Sequence, residues 1–398
     1  MLYHEVLMFI SKRFENYELS GELNPIAEAY KNYLLQGKNL FDLTLSNPTK
    51  ANIHYPETEI IKALSKNTSL LYEPIPKGLP IARESVSQYY ASLGFSISPE
   101  DIFFTSGTSE AYSYLIKLFC NPGDEILIPA PSYPLLDFIA SLELVKVIPY
   151  FLEEENNLWT FSKKKVENLI NNNTKLLFFI QPNNPTGNIL SSNEIEDLIS
   201  VSEKHNLAII IDEVFRDYFF NNAIPKLLSS IKVPVFTLNG ISKTLALPQL
   251  KLSWIICSCP KRIKKELYEG LEIISDTFLS VNIPAQVALP DLFQLRNTIQ
   301  SQIKNRMNSN LNYALTLLSN NNSIMLYTPK GGWYLVLKIY NAKNSEEETV
   351  IDLLNHTGVY VHPGSMFRFP ENTYLILSLL PEEHIFREGI KRIASYFS

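Results

Sequence analysis

Residues able to do acid, base and nucleophilic chemistry stand just beyond short apolar runs in this chain. Thr105-Ser106-Gly107-Thr108-Ser109-Glu110-Ala111 follows Phe103-Phe104, and Asn183-Asn184-Pro185-Thr186-Gly187 follows Phe178-Phe179-Ile180. Asp212-Glu213 follows Ile209-Ile210-Ile211, and Ser242-Lys243 comes shortly after Thr237-Leu238. A lysine at a partly desolvated site loses proton affinity and becomes a nucleophile able to form a Schiff base with an aldehyde cofactor. A carboxylate ending an apolar strand must be paired or functional, because burying its charge alone is costly. It could face a pyridinium nitrogen, the partner that an electron-sink cofactor requires. Asn184 is aimed by a turn that Pro185 and Gly187 define. The small residues Gly107, Thr108 and Ser109 open a helix and offer backbone N–H groups to an anion such as a phosphate. Each feature alone also has an ordinary reading: a surface lysine, a helix cap or ion pair, a plain turn, a small-residue helix start.

The elements that must position these groups follow from the hydropathy pattern. Apolar runs at 102–104, 125–128, 176–180, 207–211, 235–238 and 252–257 alternate with amphipathic stretches such as Ser192–His205. Short apolar strands alternating with helices imply an α/β fold with a mostly parallel sheet covered on both faces. Such sheets place ligands outside the carboxyl ends of their strands, where all these residues fall. From about Ile299 the character changes. A long helical stretch, 299–318, leads to Gly331-Gly332-Trp333-Tyr334-Leu335-Val336-Leu337, which reads as a strand of a smaller α+β domain. The expected organisation is a large domain over 46–285 and a small domain built from 1–45 and 286–398. The Asn runs at 171–173 and 320–322 read as loop tips.

Composition narrows the function classes. The chain has 398 residues, 45% hydrophobic and 19% charged, so a large core is available and wholesale disorder is excluded. The formal net charge of −6 and a pI near 5.7 fit a general nucleic-acid binder poorly, and no nucleic-acid partner is expected. Cys120, Cys257 and Cys259 are too few for a disulfide scaffold and lack zinc-site spacing, so no metal is expected. The first residues, MLYHEVLMFISKRFENYELSG, do not read as a signal peptide, and no uncharged apolar run reaches the ~20 residues of a membrane span. A reducing, cytoplasmic location is expected.

Taken in order, these segments resemble the class I/II aminotransferases, fold type I pyridoxal-phosphate enzymes, from about Asp42 to the C-terminus. The ordered matches are SNPT (from Ser46), YEPIPKGLPIAR (from Tyr72), TSGTSEA, PGDEILIPAPSYP (from Pro122), NNPTG, DEVF (from Asp212), GISK, GGWY and HPGS (from His362). The resemblance implies pyridoxal 5'-phosphate as cofactor, with Lys243 forming the internal aldimine and then shuttling the proton. It implies Asp212 on the pyridinium nitrogen, Asn184 on the ring hydroxyl and Tyr133 stacked on the ring. Gly107, Thr108, Ser109 and Ser242 would line the phosphate site, and Asn47 with Asn184 would meet the substrate. Tyr72 resembles the tyrosine that reaches the phosphate of a neighbouring subunit, which implies a homodimer with shared sites. The implied reaction is ping-pong transfer of an amino group between an amino acid and a 2-oxo acid.

Several positions depart from the family pattern. Phe215 stands where a tyrosine usually gives the ring hydroxyl a second hydrogen bond. Lys251 replaces the phosphate-binding arginine, keeping the charge but losing the bidentate fork. Ile376, in Tyr374-Leu375-Ile376-Leu377-Ser378, replaces the arginine that clamps the substrate carboxylate. Arg368 and Lys330 lie in segments expected near the site and could substitute, although each also reads as a surface charge. This last departure leaves open another pyridoxal-phosphate reaction, such as that of a lyase, decarboxylase, cyclase or oxidase. A non-catalytic regulator on the same scaffold is disfavoured, since only about forty residues precede the fold and Lys243, Asp212 and Asn184 are intact. His362 reads as a hydrogen-bonding structural histidine, Trp333 as packing near the site, and Cys257 and Cys259 as small apolar residues on one strand face.

Overall fold

The structure is a computed structural model that describes residues 11–14, 24–155, 157–220, 230, 232–279 and 281–398. Its larger sheet contains β1 (Ile102–Thr105), β2 (Glu125–Ala130), β3 (Lys146–Phe151), β4 (Thr174–Ile180), β5 (Ala208–Asp212), β6 (Val235–Gly240) and β7 (Ser253–Ser258). In space the order is β1-β7-β6-β5-β4-β2-β3. Every pairing is parallel except those of β7, which runs antiparallel to both β1 and β6. The carboxyl ends of β1, β4, β5 and β6 therefore share one edge.

The strands are buried on both faces, and the period of two separates their residues into different cores. Leu176 and Phe178 of β4 pack with Tyr112, Leu115 and Ile116 of the helix Thr108–Phe119. Leu177 and Phe179 point the other way, into the core shared with Leu198 and Val201. Those two residues belong to the helix Ser192–His205, which matches the stretch expected from sequence. Ser191 and Glu194 form a reciprocal capping box at its start, and Asn206 closes it in the left-handed region at φ 55°. A third cluster, around Trp254, Phe104 and Tyr90, lies under the helices Pro80–Ser92 and Ile283–Gln294. The domain boundary expected between residues 285 and 286 falls inside the second of these helices.

The smaller sheet contains β8 (Ile324–Tyr327), β9 (Tyr334–Ile339), β10 (His362–Pro363) and β11 (Thr373–Ser378), in the antiparallel order β8-β9-β11-β10. The helix Arg296–Leu318 leads into it. Phe41–Asp42 pairs in parallel with Val359–Tyr360, and Ser378 N–H donates to Leu43 O at 2.6 Å. This early segment thus packs against the C-terminal part of the chain. The rest of the expectation for the first residues concerns 1–10 and 15–23, which lie outside the described residues. Among the described residues, no helix is long and apolar enough to cross a membrane, and no cluster of three or more His, Cys, Asp or Glu could hold a metal ion.

Candidate active site

The shared edge of the larger sheet borders a cavity of about 360 Å³, a size that suits a small-molecule ligand. Thr108, Ser109, Asn184, Asp212, Ser242 and Lys243 all line it, each delivered from at or just beyond the carboxyl end of a strand. Tyr133 lines it too, 44% exposed.

Lys243 lies in the one-turn helix Ile241–Thr244 directly after β6. Gly240 makes that turn possible by close approach. A Cβ there would fall 2.1 Å from Ser253 Oγ on the neighbouring strand β7. The backbone of Lys243 is fixed by the buried Tyr218, whose hydroxyl donates to Lys243 O at 2.8 Å. Its amine stands 4.6 Å from the centre of the Trp333 ring and 5.5 Å from that of Phe215. Burial lowers its pKa from 10.5 to about 8, against the pull of Asp212. The amine is therefore available as a nucleophile near neutral pH.

Asp212, at the end of β5, is 6% exposed. Its Oδ1 accepts from Val214 N–H at 2.9 Å and its Oδ2 accepts from the hydroxyl of Tyr112. Desolvation raises its pKa, while the two hydrogen bonds and Lys243 oppose the rise. The next residue, Glu213, is buried against Arg216. Asn184 sits in the turn after β4, and its Oδ1 is buried without a hydrogen-bond partner. Gly187, at φ 69°, brings this turn against the segment that leads into β9, where a Cβ would lie 2.5 Å from Gly331 O. That contact places Trp333, fully buried, beside Lys243.

The helix Thr108–Phe119 begins without a side-chain cap, and its first residues, Thr108 and Ser109, line the cavity. Lys251 comes to the same place, since a Cβ on Gly107 would lie 3.4 Å from Lys251 Nζ. Glu110 is turned back onto Ser106, accepting from its N–H at 2.6 Å and its hydroxyl at 2.8 Å. A helix start with a lysine beside it suits a phosphate. A depressed lysine amine, a buried carboxylate and an unpartnered amide oxygen suit the aldehyde, ring nitrogen and ring hydroxyl of pyridoxal phosphate. The donor set fits that cofactor.

Not every expected residue reaches the cavity. Tyr72 is 67% exposed and does not line the cavity of its own chain. Asn47 is exposed, and its Oδ1 caps the turn Pro48–Lys50 by accepting from Thr49 N–H at 3.0 Å. Its neighbour Ser46 lines the cavity instead. Arg368 forms an ion pair with Asp137 at 2.6 Å, away from the cavity, and Lys330 is exposed. His362 meets the rings of Tyr360 and Phe367 edge-on, and burial pushes its pKa down. Ile376 is fully buried in the core, opposite Val336 and His362.

Sequence reasoning that looked only beyond strand ends missed Tyr112 and Tyr334. Tyr112 lies one helical turn beyond Thr108, a spacing that puts both on one helix face. That periodicity is the signal that could have found it.

Comparison with known proteins agrees with this geometry. The family described as aminotransferase class I and II matches residues 34–385. The chain is 27% identical to the glutamate-pyruvate aminotransferase AlaA of Haemophilus influenzae, over 91% of this chain and 92% of that protein. It is 26% identical to a tyrosine aminotransferase of Dictyostelium discoideum, over 97% of each. Among solved structures, an aminotransferase from Escherichia coli superposes with a TM-score of 0.85 at 26% identity, covering 98% of both chains. The chain belongs to the class I and II aminotransferases. It has their fold type I architecture and is an enzyme that transaminates. The family depends on pyridoxal phosphate, and its substrates are amino acids and 2-oxo acids.

Proposed function

We propose that this chain binds pyridoxal 5'-phosphate in the cavity at the sheet edge and uses Lys243 to move an amino group from an amino acid to a 2-oxo acid in two half-reactions. The observation that carries this reading is the joint lining of one cavity by the depressed amine of Lys243, the buried carboxylate of Asp212 and the unpartnered oxygen of Asn184. The bound cofactor supplies an aldehyde for amines and a ring that accepts the electron pair released at the substrate's α-carbon. Lys243 would hold the cofactor through its amine and would carry the substrate's α-proton. Asp212 keeps a proton on the ring nitrogen, and Asn184 orients the ring hydroxyl. Thr108, Ser109, Ser242 and Lys251 hold the phosphate, and Tyr133 covers the ring. Phe215 offers no hydrogen bond, so Asn184 acts there without the family's usual tyrosine.

The substrates are an α-amino acid and a 2-oxo acid, and the names of the similar proteins make the glutamate–pyruvate pair the first to test. With Ile376 in place of the family's arginine, the substrate carboxylate must be gripped by other groups. Tyr334 and Ser46, which line the cavity, are placed for this. The exposed Tyr72 fits a homodimer in which it completes the partner's phosphate site, and a cytoplasmic location fits these substrates.

An absorbance spectrum of the purified protein with pyridoxal phosphate tests the reading. A band near the visible that requires Lys243, bleached by one amino acid with release of an equivalent of 2-oxo acid, is the expected result. Ammonia or carbon dioxide in place of an aminated acceptor would sink transamination.

A further inference from the structure

Tyr112 belongs to none of the cofactor motifs, yet it touches the site's central carboxylate. Its side chain is 7% exposed, and its ring meets Phe178 edge-on with centroids 5.8 Å apart. The hydroxyl donates to Asp212 Oδ2, while Val214 N–H donates to Oδ1 at 2.9 Å. Each carboxylate oxygen thus has a protein donor, one from the helix after β1 and one from the turn after β5. Tyr112 also lines the cavity itself.

We propose that Tyr112 is a positioning residue whose hydroxyl keeps Asp212 ionised and turned toward the cavity, and so sets how firmly a ring-nitrogen proton is held there. The proposal rests on the cofactor reading above. A carboxylate buried this deeply is driven toward its neutral acid by desolvation. A neutral Asp212 could not keep a proton on the ring nitrogen. The cation nearest in the cavity, Lys243, is itself pushed toward neutrality and gives limited help. Hydrogen bonds to the charged form are then the available support. A phenol suits this task because its own ionisation, pushed far up by burial and by Asp212, never competes. Each carboxylate oxygen accepts at two positions, so Oδ2 can take both the phenol and a ring N–H. The phenol's place on a rigid helix fixes the rotation of the carboxylate between them.

A purely structural role is the competing account, since the ring also fills the core beside Phe178 and Leu115. Tyr112→Phe retains that ring and removes only the hydroxyl. It is to be compared with the natural chain, alone and combined with Asp212→Asn. In the apo-protein, a carbon-13 aspartate NMR titration, assigned with Asp212→Asn, should show the Asp212 carboxyl titrating at higher pH in Tyr112→Phe. The dissociation constant for pyridoxal phosphate should rise about tenfold, the size of a hydrogen bond to a charged group. In the Asp212→Asn background the same change should have little effect. With amino acid, kcat should fall while KM holds. An unmoved Asp212 titration, or an equal loss of affinity in the Asp212→Asn background, would overturn the proposal. The titration needs no cofactor, so it judges Tyr112 even if no Lys243-dependent absorbance band forms, a result that would count against the cofactor reading alone.

Discussion

The carboxyl edge of the larger sheet and the strand β11 of the smaller sheet differ in how far they keep the family's pattern. At the sheet edge Lys243, Asp212 and Asn184 are intact and converge on one cavity. On β11 the expected carboxylate arginine is Ile376, buried among core residues. The edge residues sit where strand ends and turns fix the backbone, and the proposed function gives each of them one task at the cofactor. At Ile376 the strand faces a core, where an apolar side chain is stable in its own right. Chemistry at the cofactor and grip on the substrate are therefore separable in this fold.

The sharpest test of that separation is at the edge. Lys243→Ala should lower turnover about 1,000-fold or more and abolish the cofactor's lysine-dependent absorbance, with the fold retained. Because the folded-state pKa of Lys243 is depressed to about 8 from 10.5, uptake of cofactor by the apo-protein should quicken with pH and level off above about 8. The same depression means that Lys243 costs stability in full below about pH 8 and that the cost is relieved as pH rises toward 10.5. Lys243→Met should remove that rise in apo-protein stability, seen as a flatter pH dependence of the unfolding midpoint.

Ile376→Arg tests the other side. An unpaired charge at a fully buried site should cost about 3–5 kcal/mol, read as a lowered midpoint of chemical unfolding. A folded Ile376→Arg chain with a reduced KM for α-amino acids would instead show that β11 still faces the substrate, and would break the contrast drawn above.

Smaller effects are expected nearer the phosphate. Lys251→Gln should weaken cofactor binding about tenfold by removing the cation beside Gly107, with little change in KM for the amino acid. Asn47→Ala should cost about 1 kcal/mol of stability through the lost cap at Pro48–Lys50 and leave KM nearly unchanged. A large rise in KM would give Asn47 a role in holding substrate that its cap does not explain.

Much of the larger sheet was legible because buried parallel strands read as uninterrupted apolar runs. β3 was not, since Pro149 interrupts it and its edge position leaves it half-exposed. The helix Ser192–His205 could be read because Ser191 and Glu194 cap it locally. The positions of Asn184, Asp212 and Lys243 beyond strand ends followed from the same runs. Arg368 was harder: its partner, Asp137, is distant in the chain, and no local pattern signals an ion pair between them.

The sequence by itself determined which groups would stand at the carboxyl edge, because strand, turn and helix start are encoded by neighbours a few residues apart. Only the tertiary structure decided what surrounds those groups. It set Trp333 over the Lys243 amine, Tyr112 against Asp212, and Ile376 inside the core between β9 and β10. Such contacts join residues far apart in the chain. Their formation depends on how whole layers pack, which local propensity does not specify.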